Sequence, residues 1–381
     1  MFSTVIKLSD VDTPALVLDE ARVLRNVDRL SSRIAKLGVT LRPHLKSVKS
    51  EELAKLMLSD SLGPATVSTL AECSVFAQMG VKDIVYAVGI TPQKLSRIAA
   101  IRSMGCDLVV ILDSLEQAQV LVATVKKLDV KLPALVEIDC DGHRAGVSPH
   151  DPALKEIGKI LDAEDCLRGV LTHAGESYEM VGKDAHRVAA EAERQAAVFA
   201  AESLRDQGFS CPVVSIGSTP TAHALDSVEG ITEVRAGVFA FFDLFQNGIE
   251  VCTTDDIALS VLTTVCGHNR EKDWIIVDAG WMAMSRDRST ASQKHDQGYG
   301  LVCNIEGKLI SDLVMIKANQ EHGIIACRPG SGTRLPNLKI GTQLRILPNH
   351  ACATAAQHSK YHVIPAQPGL AVKQWSRFRG W

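Results

Sequence analysis

Three groups of residues in this 381-residue chain have the types and spacing for chemistry. The first is Lys46, which ends the run Arg42-Pro43-His44-Leu45-Lys46. A lysine amine taken out of water can condense with a carbonyl or act as a base. The second is a set of polar residues in the first 245 positions: Glu137-Ile138-Asp139-Cys140-Asp141-Gly142-His143-Arg144, then His173, Gly217-Ser218-Thr219-Pro220-Thr221 and Arg235-Ala236-Gly237-Val238. A Gly-Ser-Thr turn offers the hydroxyls and unpaired amides that bind phosphate, although most such turns only cap helices. The third is His350-Ala351-Cys352. On an extended strand its imidazole and thiolate project from one face and suit Zn2+, leaving positions open for water and substrate. With 12 His and 10 Cys in the chain, such pairs also arise by chance, and the reversed pair Cys266-Gly267-His268 is read as incidental.

These groups need elements to position them. From residue 20 to about 243 the sequence alternates short β-rich runs with stretches of helical period, the pattern of repeated β-α units around a parallel sheet. Strands are expected at 40–46, 64–70, 83–88, 106–113, 132–139, 166–173, 212–218 and 231–238. Helices are expected at 21–37, 50–61, 70–79, 91–104, 115–128, 151–163, 184–207 and 220–228. Gly38, Gly80, Gly105 and Gly208 fall where four of these helices would end. Eight strands favour a closed (β/α)8 barrel over an open doubly wound sheet, and in such a barrel the reactive groups sit at the C-terminal strand ends. Lys46, Glu137 to Arg144, His173, Ser218 and Arg235 all fall at strand ends. A lysine pointing into a barrel mouth is desolvated unless it is paired or used covalently; in a loop it would simply face solvent.

After residue 245 the texture changes to β-branched runs such as ALSVLTTVCG, WIIVDAGW and TQLRILPNH, which read as an all-β domain. The fold class is therefore α/β: a (β/α)8 barrel over 20–245 and an all-β domain from 1–19 plus 246–381, the latter carrying His350 and Cys352. A net charge of −3 makes no electrostatic case for nucleic acid, and no apolar run approaches the roughly 20 residues that span a bilayer. The N-terminal run shows no secretory signal and the ten cysteines form no CxxC pair, so a cytoplasmic protein with reduced thiols is expected. A small molecule is the expected partner.

The stretches DTPALVLDE, LRPHLKS, EIDCDGHRAGV, LTHAGESY, SIGSTPT, EVRAGVFAFFD, DAGWMAMSRDRST and LPNHACAT resemble the alanine-racemase-type pyridoxal 5′-phosphate (PLP) enzymes. Within these they resemble the branch of D-serine dehydratases and D-threonine aldolases. The resemblance spans nearly the whole chain and implies a homodimer of two-domain subunits. It implies that Lys46 carries PLP as a Schiff base and removes the α-proton, that Arg144 lies near the cofactor's phenolic oxygen and that His173 packs against its ring. Tyr178 would line the site, and Ser218, Thr219, Gly237 and Val238 would hold the phosphate. Arg235 matches the arginine that racemases place on the pyridine nitrogen, a position that varies within this branch. Racemases also supply a tyrosine as second base, whereas the comparable segment here, Asp278-Ala279-Gly280-Trp281-Met282-Ala283-Met284, has none. One-sided chemistry on D-substrates follows.

His350 and Cys352 fall where the dehydratase branch has its zinc ligands, whereas the aldolase branch has His-x-Asp, a harder set suited to Mn2+ or Mg2+. The resemblance therefore implies a PLP- and Zn2+-dependent lyase, with Mn2+ or another divalent cation as the alternative metal. It would eliminate water from a D-3-hydroxy amino acid to give a 2-oxo acid and ammonia. Two other readings are a D-threonine-type aldolase, giving glycine and an aldehyde, and a PLP-binding protein without catalysis. D-Threo-3-hydroxyaspartate, D-serine and D-threonine differ only beyond Cβ. The first would need a cation for its second carboxylate, and Arg286, Arg288, Lys294 and His295 are candidates that also fit a solvated surface.

Overall fold

The structure, a computed structural model, describes residues 7–58 and 62–381. It falls into two compact units, Asp28–Phe239 with Gly380–Trp381 and Met1–Val27 with Ala240–Arg379. The first element, β1 (Ala15–Asp19), runs directly into α1 (Glu20–Leu37). Eight strands follow: β2 (Thr40–Pro43), β3 (Ala65–Val67), β4 (Asp83–Gly89), β5 (Asp107–Leu112), β6 (Ala134–Ile138), β7 (Leu167–Thr172), β8 (Val213–Ile216) and β9 (Glu233–Ala236). They pair in parallel in the order β2-β9-β8-β7-β6-β5-β4-β3. A parallel bridge between His44 and Thr66 joins the two ends of that order, so the ring closes into a barrel.

Helices alternate with these strands: α2 (Glu51–Met57), α3 (Leu70–Met79), α4 (Pro92–Arg102), α5 (Leu115–Leu128), α6 (Ala153–Asp162), α7 (Lys183–Arg205) and α8 (Thr219–Ala224). The caps are those the sequence advertises. Thr69 and Ser114 accept the amides of Glu72 and Gln117 at the starts of α3 and α5, and Gly80 takes the left-handed conformation that stops α3. Strands covered on both faces are almost continuously apolar, as in DLVVIL of β5, and Val85, Val109, Ile111, Leu135 and Leu171 form a buried cluster. The expected strands are each longer than the observed ones at one end or both, except β4, because the polar residues at the mouth belong to turns. Of the expected helix at 50–61, residues 59–61 lie outside the described residues.

The second unit contains β1 with β10 (Leu259–Asn269), β11 (Trp274–Val277), β12 (Leu301–Asn304), β13 (Leu309–Ala318), β14 (Gly323–Cys327), β15 (Gln343–Leu347), β16 (Lys360–Ile364) and β17 (Lys373–Ser376). Their order is β11-β14-β13-β12-β15-β10-β1-β16-β17, and β11 also pairs with β10. Six of them therefore close on themselves, while β1, β16 and β17 extend the sheet. Three short helices, α9 (Leu244–Gly248), α10 (Trp281–Met284) and α11 (Ala351–Ala355), connect strands here. The units divide at 27/28 and 239/240 rather than at 19/20 and 245/246. The reason is that the start of α1 is fastened to the later segment: Arg22 Nη1 donates to the Ile257 carbonyl at 2.8 Å, and Asn26 Nδ2 to those of Ala240 and Asp256 at 3.2 and 2.8 Å.

One buried ion pair dominates the barrel interior below the mouth. Arg42 lies 2.8 Å from both Asp83 and Glu233, and Glu233 also accepts from Ser215 Oγ at 2.6 Å. Removing one member of a buried pair strands the other charge, at a cost of about 3–5 kcal/mol. Replacing Arg42 by Ala is expected to lower stability by that amount in urea unfolding. The double variant Arg42→Met/Glu233→Gln should recover most of the loss, and a neutral Arg42→Ala would contradict the pairing.

Candidate functional site

Lys46 lies just beyond β2, in a 3-10 turn, Leu45–Ser47, and not on the strand itself as the sequence suggested. The strand stops because Pro43 has no amide to donate. Leu45 and Ser47 are buried and anchor the turn, while the Lys46 side chain is exposed. His44 shapes this turn. Its Nδ1 accepts the Lys46 amide at 3.5 Å and its Nε2 lies 3.3 Å from Ser68 Oγ. Burial, with the nearby charges of Lys46 and Arg235, holds the ring well below the usual histidine range, so it is neutral. The next lysine, Lys49, is paired at 3.2 Å with the buried carboxylate of Glu72.

Around the same ring of strand ends, His173 follows β7 and its Nδ1 donates to the Gly217 carbonyl at 3.1 Å. Burial, together with the charges of Lys46, Arg235 and Arg144, lowers its pKa to about 3, against the backbone hydrogen bond to Gly217. Gly217 takes φ +141° with no room for a Cβ against the Arg235 backbone, so only glycine fits there. Ser218 caps α8 and pairs at 2.8 Å with Ser177 Oγ. The Thr219 amide donates to the Tyr178 hydroxyl at 3.4 Å. Thr219 Oγ1 is buried with no hydrogen-bond partner. Gly237 backs onto the lysine turn: a Cβ there would sit 3.1 Å from His44 Cβ and 3.3 Å from Ser47 Oγ. Val238 starts the next 3-10 turn, Val238–Ala240.

Arg235 is buried, donating through Nη1 to Ser215 Oγ at 2.7 Å and through Nη2 to the Thr172 carbonyl. Arg144 stands apart, largely exposed and 3.7 Å from the buried Glu137 carboxylate. Burial raises the Glu137 pKa and Arg144 opposes that rise.

A buried, unpartnered hydroxyl beside a capped helix start is what an anion would complete. The barrel residues thus fit PLP: Ser218, Thr219 and the Gly237–Val238 backbone could hold its phosphate, His173 its ring and Lys46 its aldehyde carbon.

In the other unit His350 is not on a strand. It is the extended N-cap residue of α11, and Cys352 lies in the first turn of that helix. The two side chains still meet, because an N-cap and the second helical residue share one corner of the turn: Cys352 is a hydrogen-bond partner of His350. His350 Nδ1 is 2.9 Å from Asp287 Oδ2. Burial would lower the His350 pKa, but the bonds to Asp287 and Cys352 push it up to about 11. The same contact holds Asp287 far below the usual carboxylate range. Buried Asp243 accepts the Ala351 amide at 2.9 Å, and Asn349 Nδ2 donates to the Gly298 carbonyl at 2.7 Å, so the segment is fixed on both sides of His350. A carboxylate on Nδ1 is the usual way to orient a metal-binding imidazole. Among the described residues no set of three or more His, Cys, Asp or Glu side chains forms a metal cluster. His350 and Cys352 could therefore supply two donors and leave other positions open.

Of the proposed cations for a second carboxylate, Arg286 stacks over Trp281 with Cζ 4.7 Å from the ring centre, and Arg288 pairs with Asp296 at 2.7 Å. Lys294 and His295 are exposed. Sequence reasoning missed Asp287, Asp243, His44 and Glu193. Glu193 was visible as an acid on the apolar stripe of α7, between Ala189, Ala190 and Ala197.

The chain belongs to the alanine racemase N-terminal domain family, whose model matches residues 18–244, a family of PLP-dependent enzymes. A second model, described as "Putative serine dehydratase domain", matches residues 258–364. The chain is 49% identical to D-threo-3-hydroxyaspartate dehydratase of Delftia sp. (strain HT23), over 98% of this chain and 99% of the relative. It is 30% identical to D-serine dehydratase of Dictyostelium discoideum, over 94% of each. A solved structure of a cysteine-to-alanine mutant of D-threo-3-hydroxyaspartate dehydratase in the metal-free form is 47% identical. It superposes with a TM-score of 0.94, covering 98% of this chain and 99% of that one. A metal-free form implies that the dehydratase otherwise binds a metal.

A histidine at about 3 in the fold and near 6.5 when unfolded makes stability fall as pH drops from about 6.5 toward 3, because the unfolded chain takes up the proton first. In cofactor-free protein, the loss of stability between pH 7 and pH 5 should be smaller for His173→Asn than for the unmutated chain. Equal losses would mean that His173 is not buried neutral.

Proposed function

We propose that this protein is a PLP- and divalent-metal-dependent lyase that removes water from a D-3-hydroxy amino acid, giving a 2-oxo acid and ammonia. D-Threo-3-hydroxyaspartate is the preferred substrate in this reading, supported by the 49% identical relative. One observation carries the choice of elimination over other PLP chemistry: His350, oriented by Asp287 through Nδ1, faces Cys352. A nitrogen and a sulfur donor suit Zn2+, and a Lewis acid is what a hydroxide leaving group needs.

PLP, when bound, supplies an electron sink for charge developing at the substrate α-carbon. Lys46 would hold the cofactor, and its Nζ would take up the substrate α-proton. The turn that His44 caps fixes where that amine emerges, so the proton leaves from one face. His173, neutral and donating to Gly217, would support the ring. Ser218, Thr219, Gly237 and Val238 would hold the phosphate and Tyr178 would line the site, while Arg144 and Arg235 would serve the phenolic oxygen and the pyridine nitrogen. Zn2+ held by His350 and Cys352 would polarise the β-hydroxyl. The α-proton and the β-hydroxyl leave together as water, and the resulting enamine tautomerises and hydrolyses to the 2-oxo acid and ammonia.

The absence of tyrosine from residues 278–284 supports chemistry on the D-isomer alone. We read the protein as a homodimer, on the family resemblance, and as cytoplasmic. Ten cysteines with no CxxC pair suit a reducing compartment, and no helix among the described residues is long and apolar enough to cross a membrane.

Product analysis tests the reaction. D-Threo-3-hydroxyaspartate, D-serine and D-threonine should each yield the 2-oxo acid with one ammonia, fastest for the first. A chelator should abolish turnover and added Zn2+ should restore it. Glycine plus an aldehyde would assign an aldolase instead, and full activity in the chelator would remove the metal from the reaction.

A further inference from the structure

The most heavily used side chain near the mouth of the barrel is one that the chemistry above does not mention. Glu193, in the middle of α7, is 1% exposed. Its Oε1 accepts from Gly217 N at 2.8 Å and from Thr172 Oγ1 and Ala174 N, both at 3.1 Å. Its Oε2 accepts from Thr221 Oγ1 at 2.8 Å. Four donors converge on one carboxylate, and they come from the end of β7, the end of β8 and the first turn of α8. Burying a carboxylate is costly, and burial does raise its pKa, with the bonds to Thr221 and Gly217 opposing the rise. An apolar side chain would serve α7 packing better, so the carboxylate answers to the donors.

The two sets of donors do not depend on it equally. Thr172 is held in strand register opposite Ile138, and so the end of β7 keeps its place without Glu193. Gly217 lies beyond Ile216, the last paired residue of β8. From there the chain is held by Glu193, by His173 Nδ1 on the Gly217 carbonyl, by Ser177 and Tyr178, and by the reciprocal bonds between Ser218 and Thr221; of these, Glu193 alone takes the Gly217 amide. Glu193 also orders the hydroxyls. Thr221 gives its only hydroxyl hydrogen to Glu193, and Ser177 gives its own to the Ala174 carbonyl at 2.7 Å. Both then present lone pairs to Ser218, at 3.0 and 2.8 Å. The Ser218 proton is therefore spent on one of these two acceptors, which fixes the Ser218 hydroxyl, and the buried Thr219 Oγ1 is the loop hydroxyl left without a partner.

We propose that Glu193 is a positioning residue for the cofactor's phosphate: it fixes the Gly217 to Thr221 loop and its hydroxyl network, so that the unpartnered Thr219 hydroxyl is held ready for the anion. The proposal rests on the reading of this loop as the PLP phosphate site. It predicts an effect that depends on the phosphate and not on the ring or aldehyde.

The test compares the binding of PLP with that of pyridoxal, which lacks the phosphate, to the full-length cofactor-free protein. Glu193→Ala should weaken PLP binding on the order of ten- to a hundredfold, the penalty for buried donors left unsatisfied, and leave pyridoxal binding unchanged. Glu193→Gln, which can still accept from three donors and meet Thr221, should restore most of the PLP affinity. If Glu193→Ala does not fold, Thr221→Val, which removes the link from Glu193 to α8 together with the Thr221 Oγ1 bonds to Ser218, should show the same selective loss. Equal loss for both ligands, or no loss for PLP, would overturn the role of Glu193. If the unmutated protein binds PLP no more tightly than pyridoxal, it is the phosphate-site reading itself that fails.

Discussion

The parallel bridge between His44 and Thr66 closes the barrel, and much else follows from it. A ring of eight parallel strands has no edges only if its first and second strands meet, and here they meet at a single pair, one residue past the end of β2 and in the middle of β3. The His44 amide also reaches across to the Ala236 carbonyl of β9 at 2.7 Å, so the residue is tied to the strands on both sides. Its ring then caps the turn that carries Lys46. Closure of the fold and presentation of the amine are thus one structural event. The amine can be placed reproducibly because the backbone beneath it is held by the barrel, although its side chain is exposed.

The interior must pay for so many polar groups, and it does so by pairing them in layers. Lower down, Arg42 satisfies Glu233 and Asp83, and Ser215 links Glu233 to Arg235. Higher up, Glu193 gathers backbone amides and hydroxyls. Arg235 lies between the two carboxylates and is stabilised by both Glu193 and Glu233, against the cost of burial. The imidazoles of His44 and His173 sit in the field of Arg235 and Lys46, and burial among those charges keeps both neutral. In the all-β unit the opposite arrangement holds: Asp287 gives His350 a carboxylate partner, and the ring is drawn toward the charged state. Burial acts against the charged form in all three rings, and the sign of the nearest charge decides the outcome.

The eight-strand pattern was legible because several helices between strands carry their own start or stop residues, as Thr69 and Gly80 do for α3 and Ser114 for α5, and because strands buried on both faces read as uninterrupted apolar runs. The strand-end residues Lys46, His173, Ser218 and Arg235 were legible for the same reason: a barrel brings strand ends together however far apart they are in sequence. Periodicity could not show that β2 ends at Pro43, three residues short of Lys46, or that His350 begins a helix rather than continuing a strand. Both are cap effects decided by a proline and by the buried Asp243. Asp287 and Glu193 were harder still. Asp287 stands among surface charges in SRDRST, where only tertiary contact separates it from its neighbours, and Glu193 is marked in the sequence only by its place on the apolar stripe of α7.

The account depends most on Lys46 being the residue that holds the cofactor. Borohydride reduction of the PLP-loaded protein, followed by proteolysis and mass mapping, reads that attachment directly. The phosphopyridoxyl group is expected on the peptide containing Lys46 and on no other lysine. Its recovery on Lys49, or spread across surface lysines, would contradict the account.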